Sequence, residues 1–176
     1  MNKNDFQRIV IIGNSGSGKS HLSKLLSDAL KNKKIIHLDE YFWEPGGFNK
    51  KRPSEIVHAE IKQLSLRDSW IMEGVFGDLA ANALEHATVL IFLNKLWDEC
   101  KTALEQRGSQ SATQLDPAAA EASFKDLLSW AKGYNTRENS RSLIGHSNLY
   151  EHFTGKKYKL SNREEVASFL SGFKVL

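Results

Sequence analysis

Apolar residues fall along this chain in two alternating rhythms: short continuous runs, and longer stretches in which they recur every three or four positions. That alternation predicts an α/β domain built on a mainly parallel sheet. The first run, Phe6 to Ile12, holds four consecutive β-branched residues from Ile9, as a strand covered on both faces requires. Leu22, Leu25, Leu26, Ala29 and Leu30 then share one helical face. Ile35 to Leu38 reads as a second strand, followed by a segment rich in aromatics and glycine from Tyr41 to Lys51. Pro53 suits the first turn of a helix carrying Val57, Ile61 and Leu64.

Trp70 to Met72 and Val89 to Leu93 read as the third and fourth strands, with a short helix between them that ends near His86. Leu96, Cys100, Ala103, Leu104 and Arg107 keep a helical period, and the polar Gly108 to Leu115 stretch reads as a mobile link. Asp116-Pro117 pairs an N-cap acid with proline at the first helical position, opening a helix whose expected buried stripe is Phe124, Leu127, Leu128 and Ala131. Lys156 to Leu160 is the last strand. Ser161 to Glu164 has capping-box spacing before a final helix lined by Val166, Phe169, Leu170 and Phe173. Five strands with helices between them predict a three-layer α/β domain.

Composition narrows this only a little. At 176 residues the chain suffices for one well-packed domain and falls short of two. A hydrophobic share of 40% with 26% charged residues is that of a folded chain, which excludes global disorder. The formal charge of +3 is spread along the sequence, with no basic arm or helix-turn-helix pattern to indicate nucleic acid. A single cysteine, Cys100, leaves no internal disulfide and reads as a core thiol. No apolar stretch reaches the ~20 residues a membrane span needs, and MNKNDFQRIVIIG leads into a strand with no cleavage pattern. A cytoplasmic protein, monomeric or weakly dimeric, is the expectation.

The chemistry concentrates at Gly13-Asn14-Ser15-Gly16-Ser17-Gly18-Lys19-Ser20, a full match to the phosphate-loop pattern GxxxxGK[ST]. It sits between a predicted strand and a predicted helix, where glycines let the backbone turn its N–H groups inward around phosphate oxygens. Gly13, Asn14, Ser15, Gly16, Ser17, Gly18, Lys19, Ser20 and the following His21 are the expected nucleotide-binding set. Lys19 would reach the β- and γ-phosphates of ATP, and Ser20 would serve Mg²⁺. Two acids stand at predicted strand ends, Asp39 after Leu38 and Glu73 before Gly74, on the edge where such sheets bind ligands. Each is either an acid aimed at the phosphates or a cap for the following turn. Tyr41, Phe42, Trp43 and Phe48 either stack on a ligand or pack their loop onto the domain. Lys51 and Arg52 either hold an anionic acceptor or face solvent.

With these motifs in place the chain resembles the adenylate-kinase-like P-loop kinases, and within them the bacterial DNA topology modulation proteins. The likeness rests on IVIIGNSGSGKSHLSKLL, HLDEYFWEPGGF, WIMEGVFG, VLIFLNKLWDECKTALEQR and LLSWAKGYNTRENSR. The resemblance implies a single domain over residues 1–176 with a parallel sheet of order 2-3-1-4-5. It further implies an acceptor segment at about 40–67 and a helical lid at about 107–141. It implies catalytic roles for Lys19, Asp39, Glu73, Arg107, Arg137 and Arg141, with Asp39 on the acceptor side, Glu73 supporting Mg²⁺ together with Ser20, and the arginines on the lid. Arg137 and Arg141 lie four apart and on a helix would share a face. Adenylate kinases carry an arginine soon after the acid-glycine pair; the run Glu73-Gly74-Val75-Phe76-Gly77-Asp78 has none, which points away from a nucleoside monophosphate acceptor. The expected activity is transfer of phosphate from a nucleoside triphosphate to an unidentified small acceptor. The other reading is a nucleotide-binding regulatory ATPase acting through a protein or DNA partner.

Overall fold

The computed structural model describes residues 2–45, 50–109 and 116–173. Five strands, β1 (Arg8–Gly13), β2 (Ile35–His37), β3 (Trp70–Gly74), β4 (Val89–Leu93) and β5 (Lys156–Leu160), form one parallel sheet in the order β2-β3-β1-β4-β5. Eight α-helices accompany them among the described residues: α1 (Lys19–Ala29), α2 (Leu38–Phe42), α3 (Ser54–Ser65), α4 (Gly77–Leu84), α5 (Trp97–Arg107), α6 (Pro117–Lys132), α7 (Leu143–His152) and α8 (Arg163–Ser171). The class and strand order are those expected from the sequence. No helix among the described residues is long and apolar enough to cross a membrane.

The two-residue alternation of strands divides the core. Ile9 and Ile11 of β1 join Ile71, Val89, Ile91 and Leu93 under Leu22 and Leu26 of α1 and Phe169 of α8. Val10 and Ile12 join Trp70, Met72, Leu90 and Phe92 on the other face, under α3, α4 and α7. Residues 9 to 12 are therefore fully buried, and each such side chain contributes about 1.5–3 kcal/mol. The indole N–H of Trp70 donates to the carbonyl of Ser65 at 3.1 Å, tying the end of α3 to the start of β3.

Several sequence expectations shift in detail. Leu38 ends no strand but opens α2, a five-residue helix that the aromatic run concealed. The face α1 buries is Leu22, Ser23, Leu26 and Ser27, with Leu25 only half-buried. Asp116 does cap α6, accepting from the amide of Ala119 at 3.0 Å, but in the stripe only Ala131 is fully buried; Phe124, Leu127 and Leu128 are half-covered. The capping box of α8 stands one residue later than expected: Asn162 accepts from the amide of Glu165, and the Glu165 carboxylate accepts from that of Ser161. Helix α7 has little amphipathic pattern, which is why the sequence hides it. It is held by its Ser142 cap and by a tight seat for the Asn139–Arg141 turn, where a Cβ on Gly145 would lie 2.3 Å from the carbonyl oxygen of Asn139.

Gly77, the first residue of α4, meets the same turn: a Cβ there would lie 2.0 Å from the carbonyl oxygen of Ser140. The backbone of residue 140 cannot yield as a flexible side chain would. Gly77→Ala should therefore destabilise the protein by about 1–3 kcal/mol, lowering the urea midpoint at unchanged m-value. An unchanged midpoint would show that the turn is free to move.

Candidate active site

The parallel register assembles the site at the C-terminal ends of β1, β2 and β3. Ile11 pairs with Glu73, Ile12 with Gly74, and His37 with Glu73. Alternation places Glu73 on the face of Ile71, the face covered by α1, so the carboxylate meets the first turn of that helix. Ser20 Oγ donates to Glu73 Oε1 at 2.8 Å, and His37 Nδ1 lies 2.6 Å from the same oxygen. His37 was not among the expected site residues. The sequence carried no signal for it beyond its place at the end of the Ile35–Ile36 run; the β2–β3 register is what sets it beside Glu73.

The phosphate loop is shaped by contacts only glycine allows. Gly13 has φ +152° and a Cβ on it would lie 2.5 Å from the carbonyl oxygen of Leu93; Gly16 has φ +81° and its Cβ would meet the carbonyl oxygen of Cys100 at 2.3 Å. Gly18 has φ +94° but open space around it. The amides of Lys19, Ser20 and His21 precede the first bond of α1, from Leu22 N to Gly18 O at 2.9 Å, and so remain available to an anion. Asn14 braces the loop from the other side, donating its side-chain amide to the carbonyl of Ala131 at the end of α6, 3.0 Å away. Cys100 is buried beneath the loop; burial pushes its thiol up to about 11, so it stays protonated and inert.

Lys19 is buried, and its ammonium donates to the carbonyl of Asn14 at 2.8 Å. Burial lowers its pKa, against the opposing charges of Glu73 and Asp39. Asp39, in the first turn of α2, is held above the usual aspartate range by burial, against the pull of Lys19. Glu73 experiences the same burial, but His37, Lys19 and Ser20 outweigh it and its carboxyl falls below the ordinary value. Arg107 ends α5 exposed, and its charge is felt by both Lys19 and Asp39. His21 is exposed in the first turn of α1.

Two expected residues take other positions. Arg137 and Arg141 share no helix: they lie in the turn between a 3₁₀ turn at Gly133–Asn135 and α7. Arg137 donates to the carbonyls of Trp130 and Arg141 and stacks on the Trp130 ring at 3.9 Å. Arg141 forms a two-pronged ion pair with Asp78, Nε and Nη2 donating at 3.0 and 2.7 Å, and lies over the rings of Phe42 at 4.3 Å and Phe76 at 4.7 Å. Phe42 and Phe76 are themselves stacked at 4.3 Å. Of the aromatic run, Tyr41 and Phe42 pack against the core and Trp43 meets Phe42 edge-on at 4.8 Å; Phe48 lies outside the described residues, as do positions 110–115 of the expected lid. Arg52 is held by Glu60 through two bonds of 2.9 Å.

The residues at the loop fit a polyphosphate with a hard cation. Ser17 Oγ is buried without a partner, the α1 amides are unclaimed, and Ser20 with Glu73 is the hydroxyl–carboxylate pairing that Mg²⁺ takes alongside phosphate oxygens.

The fold is one that solved kinase structures share. A gluconokinase from Sinorhizobium meliloti 1021 superposes with TM-score 0.52 at 16% identity, over 96% of this chain and 92% of that one. A sugar kinase from a Janibacter species gives 0.51 at 13%, over 96% and 95%. Shikimate kinase from Aquifex aeolicus gives 0.50 at 21%, over 95% and 96%. At such identities the likeness is one of fold. The family described as Nephrocystin 3, N-terminal, matches residues 1–116, a span that holds the phosphate loop and β1 to β4, and the chain belongs to that family. No curated protein matches it.

The His37–Glu73 contact carries a pH signature. The hydrogen bond to Glu73 raises the His37 pKa, with burial opposing. Its stabilisation is therefore complete below the unfolded histidine value of about 6.5 and fades as pH rises through the higher folded value. An NMR titration should find His37 above that unfolded value, and His37→Gln should remove the corresponding fall in urea midpoint. A midpoint at or below the free value would refute the pairing.

Proposed function

We propose that the protein is a phosphotransferase that moves the γ-phosphoryl group of ATP to the hydroxyl of a small acceptor. The observation that carries this is the buried Lys19 ammonium between the carboxylates of Glu73 and Asp39, at the mouth of a loop with unclaimed amides. The backbone from Gly13 to Ser20, extended by the amide of His21, cradles the phosphates, and Lys19 leaves its Asn14 bond to meet them. Ser20 and Glu73 hold Mg²⁺, which when bound neutralises charge building on the phosphate oxygens.

Asp39 accepts the proton of the acceptor hydroxyl, and its raised pKa makes it the stronger base for that task. The acceptor oxygen then bonds to the γ-phosphorus, the bond to the β–γ bridging oxygen breaks, and ADP leaves with that electron pair. Arg107 stabilises the transferring group from the lid side, in keeping with its influence on Lys19 and Asp39. Arg137 braces Arg141 through its backbone carbonyl, and Arg141 belongs to the acceptor side. The segments at 40–67 and 107–141 serve as acceptor site and lid of one domain. The quoted sequence runs favour a likeness to the bacterial DNA topology modulation proteins, and the kinases it resembles in fold act on sugars or shikimate by name.

Two measurements test this reading. Lys19→Ala should lower ATP turnover at least ~10²-fold with an unchanged circular dichroism spectrum, and Asp39→Asn should cost ~10²–10⁴-fold in kcat with less change in KM for ATP. Full turnover in Lys19→Ala would end the proposal. Mg²⁺ with a non-hydrolysable ATP analogue should also slow hydrogen exchange over α6, the described helix of the lid; exchange unaffected there would remove the lid assignment.

A further inference from the structure

A cavity of about 230 Å³ lies between α2, the start of α3 and the start of α4. Phe42, Val57 and Leu79 give it an apolar wall, and Lys51, Arg52, Asp78 and Arg141 supply its charges. Phe42 stands one helical turn beyond Asp39 on α2, so the cavity begins one turn from that carboxylate.

The charges are unequally engaged. Arg52 is neutralised by Glu60 and also donates to the carbonyl of Tyr41 at 3.1 Å. Asp78 is neutralised by the Nε and Nη2 edge of Arg141. The Nη1 amine of Arg141 then has no protein acceptor among the described residues, and the exposed Lys51 ammonium has only the Phe42 ring, 5.9 Å away. Pairing Arg52 with Glu60 and Arg141 with Asp78 leaves Lys51 as the lining cation with no ion pair among the described residues, beside an apolar wall.

One unpaired lining cation and two donor groups, the Lys51 ammonium and Arg141 Nη1, match one carboxylate. A dianionic phosphate would leave a negative charge uncompensated in a half-buried site. The size agrees: at ~30 Å³ per water, 230 Å³ corresponds to about eight water volumes, below the usual range for larger organic ligands. The carboxylate consumes one end of the ligand, and the end toward Asp39 must carry the hydroxyl.

We propose that this cavity is the acceptor subsite and takes a small hydroxylated monocarboxylic acid, bound through its carboxylate by Lys51 and Arg141 with its carbon chain against Phe42. This rests on the phosphotransferase reading and adds the acceptor class to it. The hydroxyl oxygen bonds to the γ-phosphorus of ATP, its proton passes to Asp39, and the phosphorus–oxygen bond to ADP breaks with the electron pair leaving on ADP.

The test is ADP release at fixed Mg-ATP with glycerate and C4 to C7 sugar acids, their uncharged amides and polyols, and the nucleotides AMP and UMP. At least one acid should accelerate release ~10-fold or more over water, with phosphate recovered on the acid, and its amide should not. Lys51→Ala, an exposed change that should fold normally, and Arg141→Lys should each raise KM for that acid ~10-fold while kcat changes much less. Best acceleration by polyols, amides or nucleotides overturns the proposal, as does an acid whose KM ignores Lys51→Ala. If no acid accelerates release while the ATP analogue binds wild type and not Lys19→Ala, the acceptor class is wrong and the nucleotide site stands. Failure of the analogue to bind at all removes the phosphotransferase reading itself.

Discussion

The site depends on the placing of a buried ammonium ion. Taking Lys19 out of water is costly, and the cost is offset only where opposite charge is built into the surrounding structure. Glu73 supplies that charge from the end of β3 and Asp39 from the first turn of α2, just beyond the adjacent β2, and each depends on Lys19 in turn. The parallel register is what brings them together, because it aligns Ile11 with Glu73 and His37 with Glu73 at one edge of the sheet. The same edge receives the phosphate loop, whose tight contacts with the carbonyls of Leu93 and Cys100 admit no side chain at Gly13 or Gly16. Sheet, loop and charges are thus one construction.

Around it the two carboxylates are treated differently. Glu73 is surrounded by donors and stays ionised, suited to a cation; Asp39 is buried with fewer and holds its proton more readily, suited to proton transfer. Two acids beside the ends of adjacent strands, separated in this way, have distinct capacities although their sequence contexts look alike.

A second network joins the loop to the start of α4. Asn14 holds the end of α6, Arg137 caps that end and reaches the carbonyl of Arg141, and Arg141 pairs with Asp78 across the stacked rings of Phe42 and Phe76. Buried His146 strengthens the same joint: Tyr134 lies 2.7 Å from its Nδ1 and the carbonyl of Val75 3.1 Å from its Nε2, and burial pushes its pKa down to about 3, so the ring is neutral. The end of α6 is therefore attached to the segment that follows Glu73, and movement of either strains the other.

The sequence by itself determined the parts governed by local rules. A continuous apolar run marked β4 to the residue, because a strand buried on both faces permits little else, and β5 was bounded by its flanking turns. The phosphate loop was legible because its glycines and Lys19 answer to backbone geometry and phosphate chemistry within eight residues. Tertiary structure alone decided the rest. Helices α2 and α7 lack the period that would announce them and form because their neighbours seat them. Arg141 is drawn to Asp78, 63 residues away, and so leaves the helical face that its spacing from Arg137 suggested. His37 becomes a site residue only through strand pairing. Local pattern records what a segment must do for its own backbone and burial; which distant charge it meets is set by the packing of the whole sheet.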